Sequence, residues 1–175
     1  MTLSTADAAL AQFDNAISVA MDAAAAYAAL ESLAEAVVGM KLFTVMSVDM
    51  AAGLARRAYS NQPEAYPVTG IKPLHRNDWF DVLRLQRRPF VANTIEEIAA
   101  VFPDYELINS LGCQSVINLP VILHDELAAV VNLLHERGFY SPERVNLAAR
   151  HLSLPARLAC LLAKARAADA ESSKS

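Results

Sequence analysis

Apolar positions in the first forty residues recur with the period of an α-helix. Ser4 and Asp7 fit a capping box at the start of one helix. Asp22 is suited to cap a second helix over 23–38, which Gly39 would end. The apolar stripe of the first helix consists of Leu10, Phe13, Ile17 and Met21. The pattern therefore predicts two consecutive amphipathic helices.

After Gly39 the pattern changes from helical to extended. Residues 42–48 and 54–59 are rich in β-formers and predict two strands, joined by a turn at 51–53. The next segment, 60–75, contains three prolines and a glycine, which predicts a loop. A loop of this length inside a compact domain is often functional, so we interpret it as a lid.

Short elements are predicted in the middle of the chain. Asn77 or Asp78 would cap a short helix, and a strand is expected over 89–92. Thr94 and Glu97 fit a second capping box, and the helix that follows them would end near Phe102. Asp104 can begin a further helical turn, which would end near Leu111 and Gly112.

The last third of the chain predicts a hairpin followed by a long helix. Two apolar strands, 113–123 and 126–136, flank a tight turn at His124 and Asp125. The final helix begins with Ser141 as N-cap and Pro142 at the first helical position, and is expected to run to about Ala168. Pro155 would kink or break it, and the tail after residue 169 is predicted to be disordered.

This order of elements favours an α/β (α+β) fold in which terminal helices cover one face of an antiparallel sheet. No repeat or linker divides the chain, and 175 residues fit one domain. We expect an N-terminal helix within 1–21, which would serve dimerisation, a domain over 22–169 and the tail over 170–175.

Charge and hydropathy exclude several classes of partner. The net charge of −4 argues against nucleic acid, which would require a basic face. We interpret the pairs Arg56–Arg57 and Arg87–Arg88 as solvated ends of strands and helices. No apolar run approaches the ~20 residues of a membrane span, so no membrane partner is expected.

Cys113 and Cys160 form no C-x-x-C pair, and both lie in apolar sequence. We interpret them as buried, reduced thiols of a cytoplasmic protein. The N-terminus lacks the basic region of a secretory signal. The four histidines are scattered, and no metal site is visible.

Each strand of the last hairpin carries an amide, Asn118 in one and Asn132 in the other. A buried amide is costly unless it finds hydrogen-bond partners, and in a fold with a pocket it is a candidate to face a ligand. A two-residue turn would place Ile117 opposite Asn132 and the amides on opposite faces, whereas a three-residue loop would place the amides on one face. The sequence leaves both registers open.

Aromatic residues and a helix start provide further candidates. Trp79, with Tyr66 and Phe90, could form an aromatic wall over a cavity or simply pack in the core. Asn93 and Thr94 precede a helix, where backbone N–H groups favour an anionic group such as a carboxylate. Ordinary capping explains the same two residues.

Four motifs, taken in order, resemble a GAF domain over about residues 22–165. They are the Gly-Met-Lys-Leu-Phe-Thr-Val run at 39–45; Trp79 with Arg-Pro-Phe-Val-Ala-Asn at 88–93; Leu-Gly-Cys-Gln-Ser-Val-Ile-Asn-Leu-Pro-Val at 111–121; and Val-Val-Asn-Leu-Leu-His at 130–135. The chain has Ala128 and Ala129 where the family often has a glycine.

The resemblance implies a central sheet of about six strands, with terminal helices on one face and a ligand pocket under loops and short helices on the other. It also implies a small organic ligand, a homodimer formed through the terminal helices, and a sensory role. Family ligands include cyclic nucleotides, bilins, haem, amino acids, 2-oxo acids and aromatic acids. The candidate ligand-binding residues are Tyr66, Trp79, Phe90, Asn93, Thr94, Cys113, Ser115, Asn118 and Asn132.

Departures from the family narrow these implications. The Asn-Lys-Phe-Asp-Glu motif of cyclic-nucleotide-binding members is absent, and no metal, haem or bilin site is evident, which leaves the cofactor unknown. A ligand-free interaction or dimerisation module is the first alternative. The second is a thiol enzyme of the free methionine sulfoxide reductase type, with Cys113 as nucleophile and Cys160 as a poor resolving thiol.

Overall fold

The computed structural model describes residues 4–68, 70–74 and 77–172. Its first two helices are α1 (Thr5–Ser18) and α2 (Ala23–Val37), as the sequence predicts. The Ser4 hydroxyl accepts a hydrogen bond from the backbone of Asp7, whose carboxylate bonds back to Ser4 and completes the predicted capping box. Asp22 caps α2 through the backbone N–H of Ala25, at 2.8 Å.

Six strands form one sheet, in which every neighbouring pair is antiparallel. The strands are β1 (Leu42–Asp49), β2 (Leu54–Ser60), β3 (Ile71–Pro73), β4 (Phe90–Ala92), β5 (Ser115–Leu123) and β6 (Glu126–His135). Their spatial order is β3-β2-β1-β6-β5-β4, which confirms the predicted antiparallel sheet. The third strand lies inside the predicted 60–75 loop, where no sequence pattern predicted a strand.

Three short helices connect the strands, and one long helix closes the chain. They are α3 (Asp78–Arg84), α4 (Ile95–Ala99), α5 (Tyr105–Ser110) and α6 (Pro142–Ser172). Pro155 lies within α6 without ending it, and the helix continues past its predicted end at Ala168. Residues 173–175 of the predicted tail lie outside the described part of the chain.

The main core lies between the sheet and the helices α1, α2 and α6. Phe13, Leu30, Phe43, Leu133 and Leu152 belong to it, and all are almost inaccessible to solvent. Helices α2 and α6 cover one face of the sheet, and α1 packs on these two helices. The other face is left to the short helices and loops. None of the described helices combines the length and apolar character needed to cross a bilayer.

A β-bulge decides the register of the β5–β6 hairpin. The turn consists of two residues, His124 and Asp125, both with positive φ. Regular pairing from this turn would place Ile117 opposite Asn132. A bulge at Ala128 shifts the register by one residue, so that Asn118 lies opposite Asn132 and both amides face the side away from the long helices. The sequence left both arrangements open. The amides share a face, as a three-residue loop would have given, but through a two-residue turn and a bulge, which the sequence did not suggest.

A second bulge acts on β2. Tyr59 lies opposite Val45 and Arg57 opposite Met46, so Ala58 is the extra residue. Ala58 and Tyr59 both pack against the helix-side core, and Arg57 is turned to the opposite face. The prediction that Arg57 is solvated is therefore wrong, since it is only 8% exposed. Its neighbour Arg56 is exposed, as predicted.

Candidate functional site

A cavity of about 250 Å³ lies on the sheet face opposite the long helices. Its floor is formed by side chains of the four central strands, which point to this face. They are Thr44 and Met46 from β1, Ala55 and Arg57 from β2, Asn118 from β5, and Val130 and Asn132 from β6. Trp79 and Phe80 of α3 form one wall, and the segment 101–104 between α4 and α5 forms another. Most of the lining is apolar, as is typical of small-molecule sites.

A chain of side-chain hydrogen bonds crosses the floor of the cavity. The indole N–H of Trp79 donates to Oδ1 of Asn118 at 2.9 Å, and Nδ2 of Asn118 donates to Oδ1 of Asn132 at 2.7 Å. Nδ2 of Asn132 then donates to the hydroxyl of Thr44 at 2.9 Å. The chain links α3 to three strands and satisfies the buried amides. Each amide keeps a second N–H and a second acceptor lone pair beyond these bonds.

Trp79 is held from a second direction by the opposite wall. Its ring meets that of Phe102 edge to face, with 5.5 Å between centroids and 77° between planes. Edge-to-face pairs of this kind are favourable because the positive ring edge meets the negative face. The indole is thus fixed both by the amide chain and by the segment after α4.

The segment between β2 and β3 closes one end of the cavity. The hydroxyl of Tyr66 donates to Oδ2 of Asp104, and Nζ of Lys72 lies 3.3 Å from the same oxygen. Burial raises the pKa of Asp104, but the Tyr66 hydrogen bond and the Lys72 ammonium outweigh burial and leave that pKa below its ordinary value. Asp104 is therefore ionised at neutral pH and ties this segment to the α4–α5 segment.

Arg57 is the one buried cation of the lining. Its guanidinium stacks 3.9 Å from the centroid of the Tyr66 ring, and Nη1 donates to the carbonyl of Pro67 at 2.8 Å. Its Nε makes no hydrogen bond within the described residues. No carboxylate among those residues lies within ion-pairing distance of Arg57.

The structure brings together four of the nine predicted site residues. Tyr66, Trp79, Asn118 and Asn132 all line the cavity. Phe90 lies opposite Asn118 on the neighbouring strand, but it packs into apolar clusters at the margin and does not line the cavity. Of the predicted aromatic wall, Trp79 and Tyr66 line the cavity, and Phe102 stands where Phe90 was expected.

The other four predicted residues have structural partners away from the cavity. Asn93 donates to the carbonyl of Tyr140 at 3.0 Å and accepts from its N–H at 3.1 Å. Thr94 caps α4 through the predicted capping box, so ordinary capping accounts for this residue. The hydroxyl of Ser115 donates to backbone carbonyls at the end of β6, and Cys113 is fully buried in an apolar cluster.

The two thiols are not arranged for redox chemistry. Cys113 belongs to a cluster on the cavity side of the sheet, whereas Cys160 lies in the helix-side core. Burial raises the pKa of each thiol to about 11, so both are protonated at neutral pH. No group of three metal-ligating side chains converges anywhere in the described ranges.

Thr44, Arg57, Lys72 and Asp104 also line the cavity, and none of them is among the predicted site residues. Strand alternation could have identified Thr44, because it lies on the same face as Met46. Nothing local marks the other three, because their positions depend on a bulge and on loops that meet only in the folded chain.

No protein-family model matches this chain, and no curated protein matches it in sequence. Solved structures do match it in shape. The GAF domain of an Acinetobacter phosphoenolpyruvate-protein phosphotransferase superposes with a TM-score of 0.69 at 12% identity, covering 96% of this chain and 99% of that one. The GAF domain of a Bacillus halodurans two-component sensor histidine kinase gives 0.62 at 8% identity, covering 77% and 90%. The phycoerythrobilin-bound GAF domain of a cyanobacterial phytochrome gives 0.64 at 12% identity, covering 92% and 98%.

Proposed function

We propose that this chain, which has the fold of a GAF domain, is a sensory or regulatory module that binds a small organic molecule in the cavity beside Trp79. The observation that carries the proposal is the cavity itself, which is mostly apolar and is crossed by an ordered row of amides. Sites for small molecules combine an apolar lining with a few fixed polar groups in the same way. The sensor kinase and phytochrome origins of the similar structures support a sensory role.

The chain of hydrogen bonds across the cavity floor is suited to ligand recognition, because its amides are held in place and still have unused donors and acceptors. Asn118 is 1% exposed, whereas Asn132 is only half-buried, so Asn132 is the amide more open to a ligand. A ligand that accepts from or donates to Asn132 extends the chain of hydrogen bonds without breaking it. Its apolar part would lie against Trp79 and Phe102.

Regulation would follow from closure of the segments around the ligand. The β2–β3 segment is joined to the α4–α5 segment through Tyr66, Asp104 and Lys72. A ligand that binds the closed arrangement more tightly than an open one shifts the population toward closure. The sheet would transmit this shift to α2 and α6, which pack against its other face, and through them to α1. Within the predicted 60–75 lid, Thr69 and His75 lie outside the described residues.

A cavity-filling variant tests the proposal. Native mass spectrometry of the purified protein, followed by denaturing extraction, is expected to reveal a bound small molecule in stoichiometric amount. Ala55 lines the cavity, and Ala55→Phe should fill part of it and reduce occupancy about tenfold or more, since overlap of even a few atoms is costly. Ala51→Phe, in the exposed β1–β2 turn, is the matched control and should retain the compound. If no compound is found and a metabolite panel leaves the melting temperature unchanged, the ligand-free interaction module is favoured.

We further propose that the chain is a homodimer formed through α6. Leu154, Leu158 and Leu161 are 71%, 44% and 44% exposed, and their spacing of four and three residues places them on one helical face. Ala165 is exposed and continues the same spacing. Such a stripe is the pattern of a coiled-coil seam. In a dimer with a two-fold axis, it would pack against the same stripe of the second copy.

Replacing leucines of this stripe with charged residues should separate the two copies. The double variant Leu154→Glu with Leu158→Glu is expected to weaken dimerisation about a hundredfold or more, because each buried leucine contributes about 1.5–3 kcal/mol. Sedimentation equilibrium measures the change, and circular dichroism should show an unchanged helix content. Glu106→Lys, an exposed charge reversal on α5 at the cavity side of the sheet, is the control. A wild-type chain that stays monomeric at high concentration would contradict the proposal.

The location that fits this proposal is the cytoplasm. Both cysteines are buried and unpaired, as expected of a chain kept in a reducing compartment. Protonated, separated thiols also give the thiol-enzyme alternative no support, so it is not carried further.

A further inference from the structure

The cavity carries more positive than negative charge at its β2–β3 end. Arg57, Lys72 and Asp104 are the charged residues of the lining. Asp104 already pairs with Lys72 and accepts from Tyr66. Arg57 has no such partner, which leaves one buried cation beside the apolar space. A buried charge without a partner is costly, so a site that keeps one is suited to receive the opposite charge.

Several contacts hold the guanidinium in place at the cavity. The β2 bulge turns Arg57 away from the helix-side core, and the Tyr66 ring supports the flat face of its guanidinium. Nη1 is held by the carbonyl of Pro67, and the backbone N–H of Arg57 donates to the carbonyl of Gly70 at 3.0 Å. These contacts use Nη1 and one face of the guanidinium. Nε makes no hydrogen bond among the described residues and is itself shielded from solvent, so a ligand would meet the guanidinium at the part that lines the cavity.

The charge of the guanidinium defines the chemistry of its partner. Planar guanidinium N–H groups recognise anionic oxygens, and a carboxylate is a compact planar anion that suits them. The remaining lining offers aromatic and aliphatic surface, from Met46, Phe102 and Val130. Asn132 lies two strands away from Arg57 in the sheet, about 10 Å at the usual strand spacing.

We propose that the ligand of this cavity is a compact organic carboxylate with an apolar body, whose carboxylate group pairs with Arg57. The proposal rests on the proposed function of the same cavity and adds the charge and the anchoring residue of the ligand. The apolar body lies between the sheet and the wall formed by Trp79 and Phe102. Asn132 is placed to bind a second polar group, if the body carries one at the far end.

Matched acids and amides test the proposal, because each pair shares its apolar body and its size and differs in the charge and hydrogen bonding of one end. The probes are benzoate with benzamide, 3-phenylpropanoate with its amide, and hexanoate with hexanamide, titrated against the purified full chain. Trp79 is the only tryptophan, so its emission reports binding in the cavity. We expect the wild-type protein to bind at least one acid about tenfold to a hundredfold more tightly than its amide, as hydrogen bonds to charged groups predict.

The neighbouring arginine gives a matched control. Arg57→Gln should abolish the preference for the acid, and Arg57→Lys, which keeps the charge but loses the planar guanidinium that stacks on Tyr66, should retain only part of it. Arg56→Gln removes an exposed charge one residue away and should bind as the wild type does. If Arg57→Gln fails to fold, the wild-type preference and the Arg57→Lys variant still decide the question.

Two results would overturn the carboxylate assignment. The first is binding of amides as tightly as acids, or a preference that survives in Arg57→Gln; the cavity would then remain a ligand site and the proposed function would stand. The second is the absence of binding by every acid. In that case the compound extracted from the native protein decides separately whether the cavity has a ligand at all.

Discussion

Replacing Phe43 with alanine is expected to lower the free energy of unfolding by about 3–5 kcal/mol, the usual cost of removing a buried phenylalanine. The ring is fully buried in the helix-side core, where its centroid lies 6.0 Å from that of Tyr59 in an edge-to-face pair. The loss combines apolar contacts with a cavity that rigid neighbours on the sheet and helices fill poorly. Urea unfolding followed by circular dichroism measures it, provided that the slope with urea is unchanged.

Met46 provides a control on the same strand. It faces the cavity and is only half-buried, so Met46→Ala removes fewer contacts and should cost about 1–2 kcal/mol. Ligand binding should respond in the opposite order, with Met46→Ala affecting affinity and Phe43→Ala affecting mainly stability. Equal destabilisation by the two substitutions would contradict this division between a stabilising face and a binding face.

Replacing Asn118 with leucine is expected to cost about 2–4 kcal/mol of stability, although it adds an apolar side chain to a buried position. Asn118 is the middle of the hydrogen-bond chain, so its loss leaves both the indole N–H of Trp79 and Oδ1 of Asn132 without their partners. Trp79 should also become less ordered and its emission should shift to longer wavelength. Urea unfolding and the emission spectrum measure the two effects on one sample.

The control for this substitution is another amide. Asn109 is exposed and accepts only a surface hydrogen bond from Gln114, so Asn109→Leu should change the stability by no more than about 0.5 kcal/mol. An Asn118→Leu protein that is as stable as the wild type and has the same emission would mean that the amide chain neither supports the sheet nor positions Trp79.

Local signals made most of the helices and hairpins predictable. Capping residues such as Ser4, Asp22 and Thr94 act on the next turn of their own helix, so a few neighbouring residues are enough to place the helix start. The two hairpins were likewise marked by their strand-forming runs and short turns. The resemblance to GAF domains then gave the arrangement of these elements, and the structural comparisons bear it out.

The candidate site was less predictable because tertiary packing decides it. Unbroken alternation from Tyr59 would turn Arg57 toward the core beneath the long helices, where its charge would be buried among apolar side chains. The bulge at Ala58 avoids this cost, but the balance depends on helices that are distant in sequence. The strand β3 and the ion pair of Lys72 with Asp104 were unpredictable for the same reason, since they form only when segments distant in sequence meet.

The two bulges also bear on how this chain can be compared with others. Along β2 the inward and outward positions change places at Ala58, and along β6 they change places at Ala128. An alignment to a protein with regular strands therefore needs a one-residue gap at each point; without it, surface positions are matched to core positions over the rest of the strand. Substitution patterns averaged across such an alignment would lose their periodicity in the strands that bound the cavity.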